Sequence, residues 1–263
     1  MPPRPIRGHA AEDPGVSDSV GWLAAQFGAP DGVRAGTTMR TGGVSRGGSL
    51  ATFNLAAHVA DDPAAVAANR ARLRVDLGLP AEPLWLRQVH GATVAVHDGG
   101  LHAPEADAAV TFEAGRVLAV LTADCLPVAL AGRDGLRLGL AHAGWRGLIA
   151  GVLERTVAAL GVEGAELVAW LGPAIGPEAF EVGGEVRAAF AAADPADAAA
   201  FTANERGRWQ ADLYALARSR LARLGVREIS GGGECTFRDA ARFYSHRRDP
   251  RGGRMATLLW RTG

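Results

Sequence analysis

Apolar and polar positions alternate in blocks along this chain, and the most informative block is Leu118 to Gly147. It reads as strand, turn, strand and the start of a helix. Its apolar runs are nearly unbroken, the pattern of strands buried on both faces. The first run ends in Thr122-Ala123-Asp124-Cys125 and the second in His142-Ala143-Gly144-Trp145-Arg146-Gly147. Upstream, Val20–Phe27 is a short amphipathic run and Val33–Thr38 reads as a strand. Asp61-Asp62-Pro63 opens a helix, with Asp62 as cap and Pro63 at the first helical position. That helix runs to about Leu77 and stops at Gly78. Strands follow at Leu84–Val89, Thr93–His97 and Asp107–Thr111. Downstream the pattern gives a helix over Trp145–Leu160, a strand over Glu166–Leu171, helices over Glu185–Ala193 and Asp212–Leu224, and strands over Val226–Ser230 and Met255–Trp260. Residues 196–208 read as a surface excursion and Cys235–Arg254 as a polar loop region.

Strands and helices alternate without a linker or an internal repeat. The expectation is a single α/β domain over 20–263, with a mixed β-sheet between helix layers, preceded by a flexible N-terminal tail over 1–19. The composition agrees: 48% of the 263 residues are hydrophobic, enough for a sizeable core. Basic and acidic residues number 28 each, which leaves no global field for nucleic acid or an anionic membrane. Two cysteines do not make a disulfide framework. There is no apolar stretch of membrane-spanning length and no secretory signal, so a cytoplasmic, monomeric protein acting on a small molecule is expected.

The candidate chemistry sits where apolar strands end. His90, Cys125 and His142 each follow such a strand, and strand ends of one sheet converge at its edge. Three readings fit them. One is a zinc site with a fourth position open for water. Another is a cysteine nucleophile with a histidine base, oriented by a carboxylate such as Asp124. The third is a buried cysteine with two core histidines. His97 and His102, beside a Gly-Gly turn, read as solvated. Arg146 lies in the first turn of a helix, where a guanidinium fork and free N–H groups suit a phosphate or carboxylate. Arg40-Thr41-Gly42-Gly43-Val44-Ser45 is a glycine-rich, donor-rich loop of the kind that can approach an anion. Arg247-Arg248-Asp249 reads as a salt-bridge cluster near the rim.

These motifs occur together and in order: Arg40–Ser45, Arg87-Gln88-Val89-His90-Gly91, Thr122–Pro127, Ala141–Gly147, Ile175-Gly176-Pro177 and Phe243–Asp249. The set resembles the bacterial YfiH/YlmD family, also called the laccase-domain, polyphenol oxidase or peptidoglycan editing factor family, from about residue 33 to 260. The resemblance implies a fold similar to the cytotoxic necrotizing factors, a cysteine-hydrolase-like α/β domain, and convergence of His90, Cys125 and His142 on a zinc ion. It also implies one of several activities. These are phosphorolysis of adenosine, inosine and methylthioadenosine with an added adenosine deaminase activity; copper-dependent polyphenol oxidation; or removal of a wrong amino acid from a cytoplasmic muramyl precursor of peptidoglycan. Many relatives carry cysteine just after the Ile-Gly-Pro loop, where this chain has Glu178-Ala179.

The residues speak against copper oxidation and leave phosphorolysis and the amidase both open. A multicopper oxidase needs more histidines than the seven present, usually in His-x-His pairs, and no such pair occurs. The H-x-E and P-C-x-x-C pattern of cytidine-type deaminases is absent. Phosphorolysis needs a phosphate beside an oxocarbenium-like sugar and a stabilised departing base. Arg146 and the Arg40–Ser45 loop are the phosphate-holding candidates, with His90, Cys125, His142 and Asp124 as the chemical group. The amidase reading uses the same residues, with Cys125 attacking an amide carbonyl.

Overall fold

The computed structural model describes residues 19–100 and 103–263. The N-terminal tail, apart from Ser19, and His102 lie outside them. The strands and helices run in the order β1 (Trp22–Ala24), β2 (Val33–Thr38), α1 (Pro63–Asp76), β3 (Leu84–Trp85), β4 (Val94–Val96), β5 (Ala108–Thr111), β6 (Val117–Thr122), β7 (Leu126–Gly132), β8 (Leu138–Ala143), α2 (Trp145–Ile149), α3 (Val152–Leu160) and β9 (Leu167–Leu171). Then come β10 (Glu181–Val182), α4 (Gly184–Ala193), β11 (Phe201–Ala203), β12 (Trp209–Ala211), α5 (Leu213–Arg223), β13 (Glu228–Gly231) and β14 (Met255–Arg261).

In place of the one mixed sheet expected, two mixed sheets pack face to face. One has the order β1-β2-β14-β6-β3 and the other β13-β9-β7-β8-β5-β4. Leu118, Val120 and Leu259 of the first meet Ala129, Leu140 and Val168 of the second in a shared core. Helix α1 covers the outside of the five-stranded sheet through Leu73, and α3 and α5 cover the six-stranded sheet through Leu153, Leu160 and Leu221. Every residue of β6, β7 and β8 is buried. Burial on both faces gives the same unbroken apolar run whether the cover is a helix or a second sheet, which is why periodicity did not separate the two arrangements. Within the stretch 196–208, expected to be a surface excursion, lies β11, an edge strand of a small third sheet, β10-β12-β11.

Local signals set the ends of several elements. The Asp62 carboxylate caps α1 by accepting from the Ala64 N–H at 2.9 Å, with Pro63 next in line. Asp212 caps α5 through the Ala215 N–H. The single helix expected over Trp145–Leu160 is two helices, broken at Gly151, whose φ of 82° lies in the left-handed region that glycine enters freely. Val20–Phe27 holds a short strand, and the strand expected over Leu84–Val89 ends at Trp85.

Two segments decide where the site lies. Strand β6 belongs to the five-stranded sheet and β7 to the six-stranded one, so the turn Ala123–Cys125 is where the chain crosses between sheets. The loop from β3 to β4, which carries His90, makes the same crossing. The chemistry-bearing residues therefore gather at the seam of the two halves.

Candidate functional site

Among the described residues, His90, Cys125 and His142 form the one group of three donors that could hold a metal ion, with their ligand atoms within 4.8 Å of one another. His142 is buried on β8, Cys125 is half-buried, and His90 is exposed to the cavity. The two imidazole rings meet edge to face with centroids 4.9 Å apart.

The carboxylate that organises this group is Asp107, which the sequence did not single out. It is fully buried immediately before β5. Its Oδ1 is 2.9 Å from His142 Nδ1 and accepts from the His90 N–H at 2.9 Å; its Oδ2 accepts from the N–H groups of Gly91 and Val89 at 2.6 and 3.2 Å. Its backbone carbonyl accepts from the His142 N–H at 2.7 Å. One side chain thus orients His142 and ties down the loop presenting His90. Such a carboxylate–histidine contact fixes the tautomer and leaves Nε2 for Cys125 or a metal.

Asp124 has a different place. Its Oδ1 accepts from the Thr236 hydroxyl at 2.6 Å, and its Oδ2 from the Ser245 hydroxyl and the Arg247 N–H at 3.0 and 2.6 Å. It anchors the crossing turn and does not orient a histidine. His90 and Asp124 are the two non-glycine residues with positive φ among the described residues, at 62° and 88°. Both strained backbones lie in this site and both are held by buried carboxylate contacts, a concentration of strain typical of functional positions. Gly144 is required for a steric reason: a Cβ there would stand 2.7 Å from the Cys125 sulfur.

The electrostatics follow from the contacts. Burial works against a charged Cys125, but the positive charge and hydrogen bond of His142, with smaller help from His90, bring the thiol down to about 6. Burial likewise opposes a charged His142, yet the Cys125 thiolate and the hydrogen bond to Asp107 raise it to about 9. Without a metal, the centre is a thiolate–imidazolium pair backed by a carboxylate. A cysteine in this state is a nucleophile. Two imidazoles and a thiolate also make a donor set that suits zinc with one position open.

The centre opens into a cavity of about 680 Å³. Trp145, Ile175, Phe180 and Leu213 give it an apolar wall from the six-stranded half, while His58 and Arg254 come from the five-stranded half. Arg146 and Arg247 also line it. The Arg146 guanidinium lies over the Trp145 ring at 4.5 Å from its centroid, and Arg247 over Phe180 at 5.6 Å. Arg248 pairs with Asp249 at 3.3 Å.

The Arg40–Ser45 loop does not line the cavity, and most of its donors are already engaged. Arg40 Nε, Nη1 and Nη2 donate to the carbonyls of Ala51, Ala240 and Gly48. The Gly43 N–H goes to the Thr52 hydroxyl, the Val44 N–H to Asn69 and the Ser45 hydroxyl to Asp61. Gly42 packs against Ser19 and Val20, and the Thr41 carbonyl faces the Gly21 N–H. The anion-cradle expectation for Arg40, Thr41, Gly42, Gly43, Val44 and Ser45 therefore gives way to a structural loop, because it stands off the cavity and other parts of the chain take the donors of Arg40, Gly43, Val44 and Ser45. His97, expected to be solvated, is buried.

Residues 34–262 match the family described as multi-copper polyphenol oxidoreductase laccase. The chain is 53% identical over 240 residues to a purine nucleoside phosphorylase of Pseudomonas aeruginosa, covering 91% of this chain and 98% of that one. It is 48% identical over 239 residues to the purine nucleoside phosphorylase YfiH of Escherichia coli, covering 90% and 98%. The crystal structure of the Neisseria meningitidis protein NMB0706 superposes with a TM-score of 0.87 at 45% identity, over 92% of this chain and 99% of that one.

Proposed function

The chain belongs to the multi-copper polyphenol oxidoreductase laccase family, and on that premise we propose that it is a cytoplasmic purine nucleoside phosphorylase. It would convert inosine, adenosine and methylthioadenosine to the free base and the sugar 1-phosphate, with His90, Cys125 and His142 as the chemical group. The observation carrying this reading is the cavity: one apolar aromatic wall, an excess of arginines, and the histidine–cysteine centre between the two halves. A planar base packs on Phe180 and Trp145, and an anion finds guanidinium partners.

In the reaction the C1′–N9 bond breaks and its electron pair leaves with the base. A phosphate oxygen forms the new C1′–O bond. The base takes a proton, which phosphate gives up on forming the ester, so protons balance overall. With its Nδ1 fixed by Asp107, His142 would hold a proton in transit on Nε2 when the centre is free of metal, and would use that same nitrogen as a ligand when zinc is bound. A zinc ion held by His90, Cys125 and His142 would supply Lewis acidity and an acidified water, the chemistry that an added adenosine deaminase activity calls for. The family's copper name fits less well, since the described residues offer one three-donor group where several coppers would need more.

A second reading draws on the Cys125–His142–Asp107 arrangement, which suits a thiol attack on an amide. Its substrate would be a muramyl precursor bearing a wrong amino acid. Product analysis separates the two. Hypoxanthine and ribose 1-phosphate formed from inosine only when phosphate is present support the phosphorylase. Turnover of the muramyl conjugate with inosine untouched would replace it.

A further inference from the structure

Resting on the phosphorylase reading, we propose that inorganic phosphate binds between Arg254 and His58, on the five-stranded side of the cavity, with the nucleoside base on the opposite, apolar side.

Arg254 immediately precedes β14 and is half-buried at the cavity wall. Its backbone N–H donates to Asn54 Oδ1 at 2.9 Å, and its Nη1 donates to the carbonyls of Gly252 and Gly253 at 2.6 and 3.1 Å. These bonds hold the guanidinium still and leave Nε and Nη2 without a protein acceptor among the described residues. No carboxylate stands within ion-pair distance of it, whereas Arg87, also on the wall, is paired with Glu105. A partly desolvated, unpaired guanidinium is costly to maintain and is a site for a counter-anion.

The other anions of the cavity already have partners, the Cys125 thiolate in His142 and His90. Asp124 is the one carboxylate lining the cavity, and both of its oxygens are engaged by Thr236, Ser245 and the Arg247 N–H. His58 is held below its ordinary value by partial desolvation and then by the charges of Arg254, Arg70 and His90. A dianion placed there meets a guanidinium fork and an imidazole. It also lies beside the reacting centre, because Arg254 and His58 line the same cavity as His90, Cys125 and His142. Arg146 and Arg247, each against an aromatic ring of the apolar side, are left to the nucleoside.

The test is calorimetric titration of the full chain with inorganic phosphate alone, followed by steady-state kinetics with inosine. Exposed His58 can be changed without disturbing a core, so His58→Ala is the first variant. It is expected to raise both the phosphate Kd and the KM for phosphate at least tenfold, with the KM for inosine within twofold of wild type. Arg254→Gln should remove measurable phosphate binding, and Arg254→Lys, which keeps the charge, should restore part of it. Phosphate binding unchanged within twofold in His58→Ala and Arg254→Gln would overturn the assignment. So would displacement of bound phosphate by inosine, or Arg254-dependent turnover of inosine 5′-monophosphate without free phosphate, which would give the seat to a phosphoryl group carried on the substrate. Phosphate binding that depends on both residues, in a wild-type protein forming no ribose 1-phosphate, would keep the seat and refute the phosphorylase reading.

Discussion

Replacing Asp107 with Asn changes one oxygen to an amide nitrogen at the point where both histidines are organised. Oδ2 takes two backbone N–H groups, from Val89 and Gly91, while Oδ1 takes the His90 N–H and faces His142 Nδ1. The amide nitrogen does least harm at the Oδ1 position, because His142 Nδ1 can turn from donor to acceptor there. His142 then carries its proton on Nε2 and is neutral, and the Cys125 thiolate loses its counter-ion. In the metal-free wild type the thiol lies at about 6, against an ordinary 9.0, a stabilisation of the thiolate of about 4 kcal/mol. His142 contributes most of it. With only His90 left to oppose burial, the thiol should rise back toward its ordinary range, and the thiolate fraction at pH 7 should fall at least tenfold. The His90 N–H left facing the amide costs about 1–3 kcal/mol, so the melting temperature drops but the fold survives. The assay is the rate of iodoacetamide alkylation against pH after chelation. Peptide mapping separates Cys125 from Cys235. Wild type should reach its plateau above about pH 6 and lose reactivity below it, since protonation removes the nucleophile. An inflection still near pH 6 in Asp107→Asn would refute the account of how His142 is charged.

Cys125→Ala and His142→Ala should each abolish turnover while leaving circular dichroism unchanged; full activity in either would remove these residues from the chemistry. Gly144→Ala drives a methyl to 2.7 Å from the Cys125 sulfur, so activity should fall at least tenfold with a melting temperature near wild type. Protein purified without added metal should carry about one zinc per chain by elemental analysis, and His90→Ala should lose it. Asp197, buried beneath α5, faces Arg220 and Arg223. Asp197→Ala should destabilise the chain in urea by about 3 kcal/mol, with little change in KM.

Much of this was legible from residues alone where the signal is local. The apolar runs of β6 to β8, the Asp62-Pro63 helix start and the closing strand all carry their information in adjacent residues. His90, Cys125 and His142 were visible as polar residues at the ends of apolar runs, and the resemblance joined them. Asp107 gave only a faint sign, an acid directly before the apolar run Ala108–Val110, because its partners lie 16 to 35 residues away. The Arg40–Ser45 loop misled for the converse reason: its composition suits an anion, but Thr52, Asp61 and Asn69 satisfy it. Arg254 stands in a polar stretch with other arginines, and nothing local separates it from those that pair. The break at Gly151 depends on a backbone angle that an apolar periodicity does not encode.

The central claim is that one cavity at the seam of two sheets performs phosphorolysis through the His90–Cys125–His142 centre. Phosphorus NMR of inosine with inorganic phosphate, run side by side for wild type and Cys125→Ala, tests it most directly. The account predicts a ribose 1-phosphate signal growing in step with hypoxanthine for wild type and none for the variant. Hypoxanthine without ribose 1-phosphate, no purine product at all, or equal signals from both proteins would contradict it.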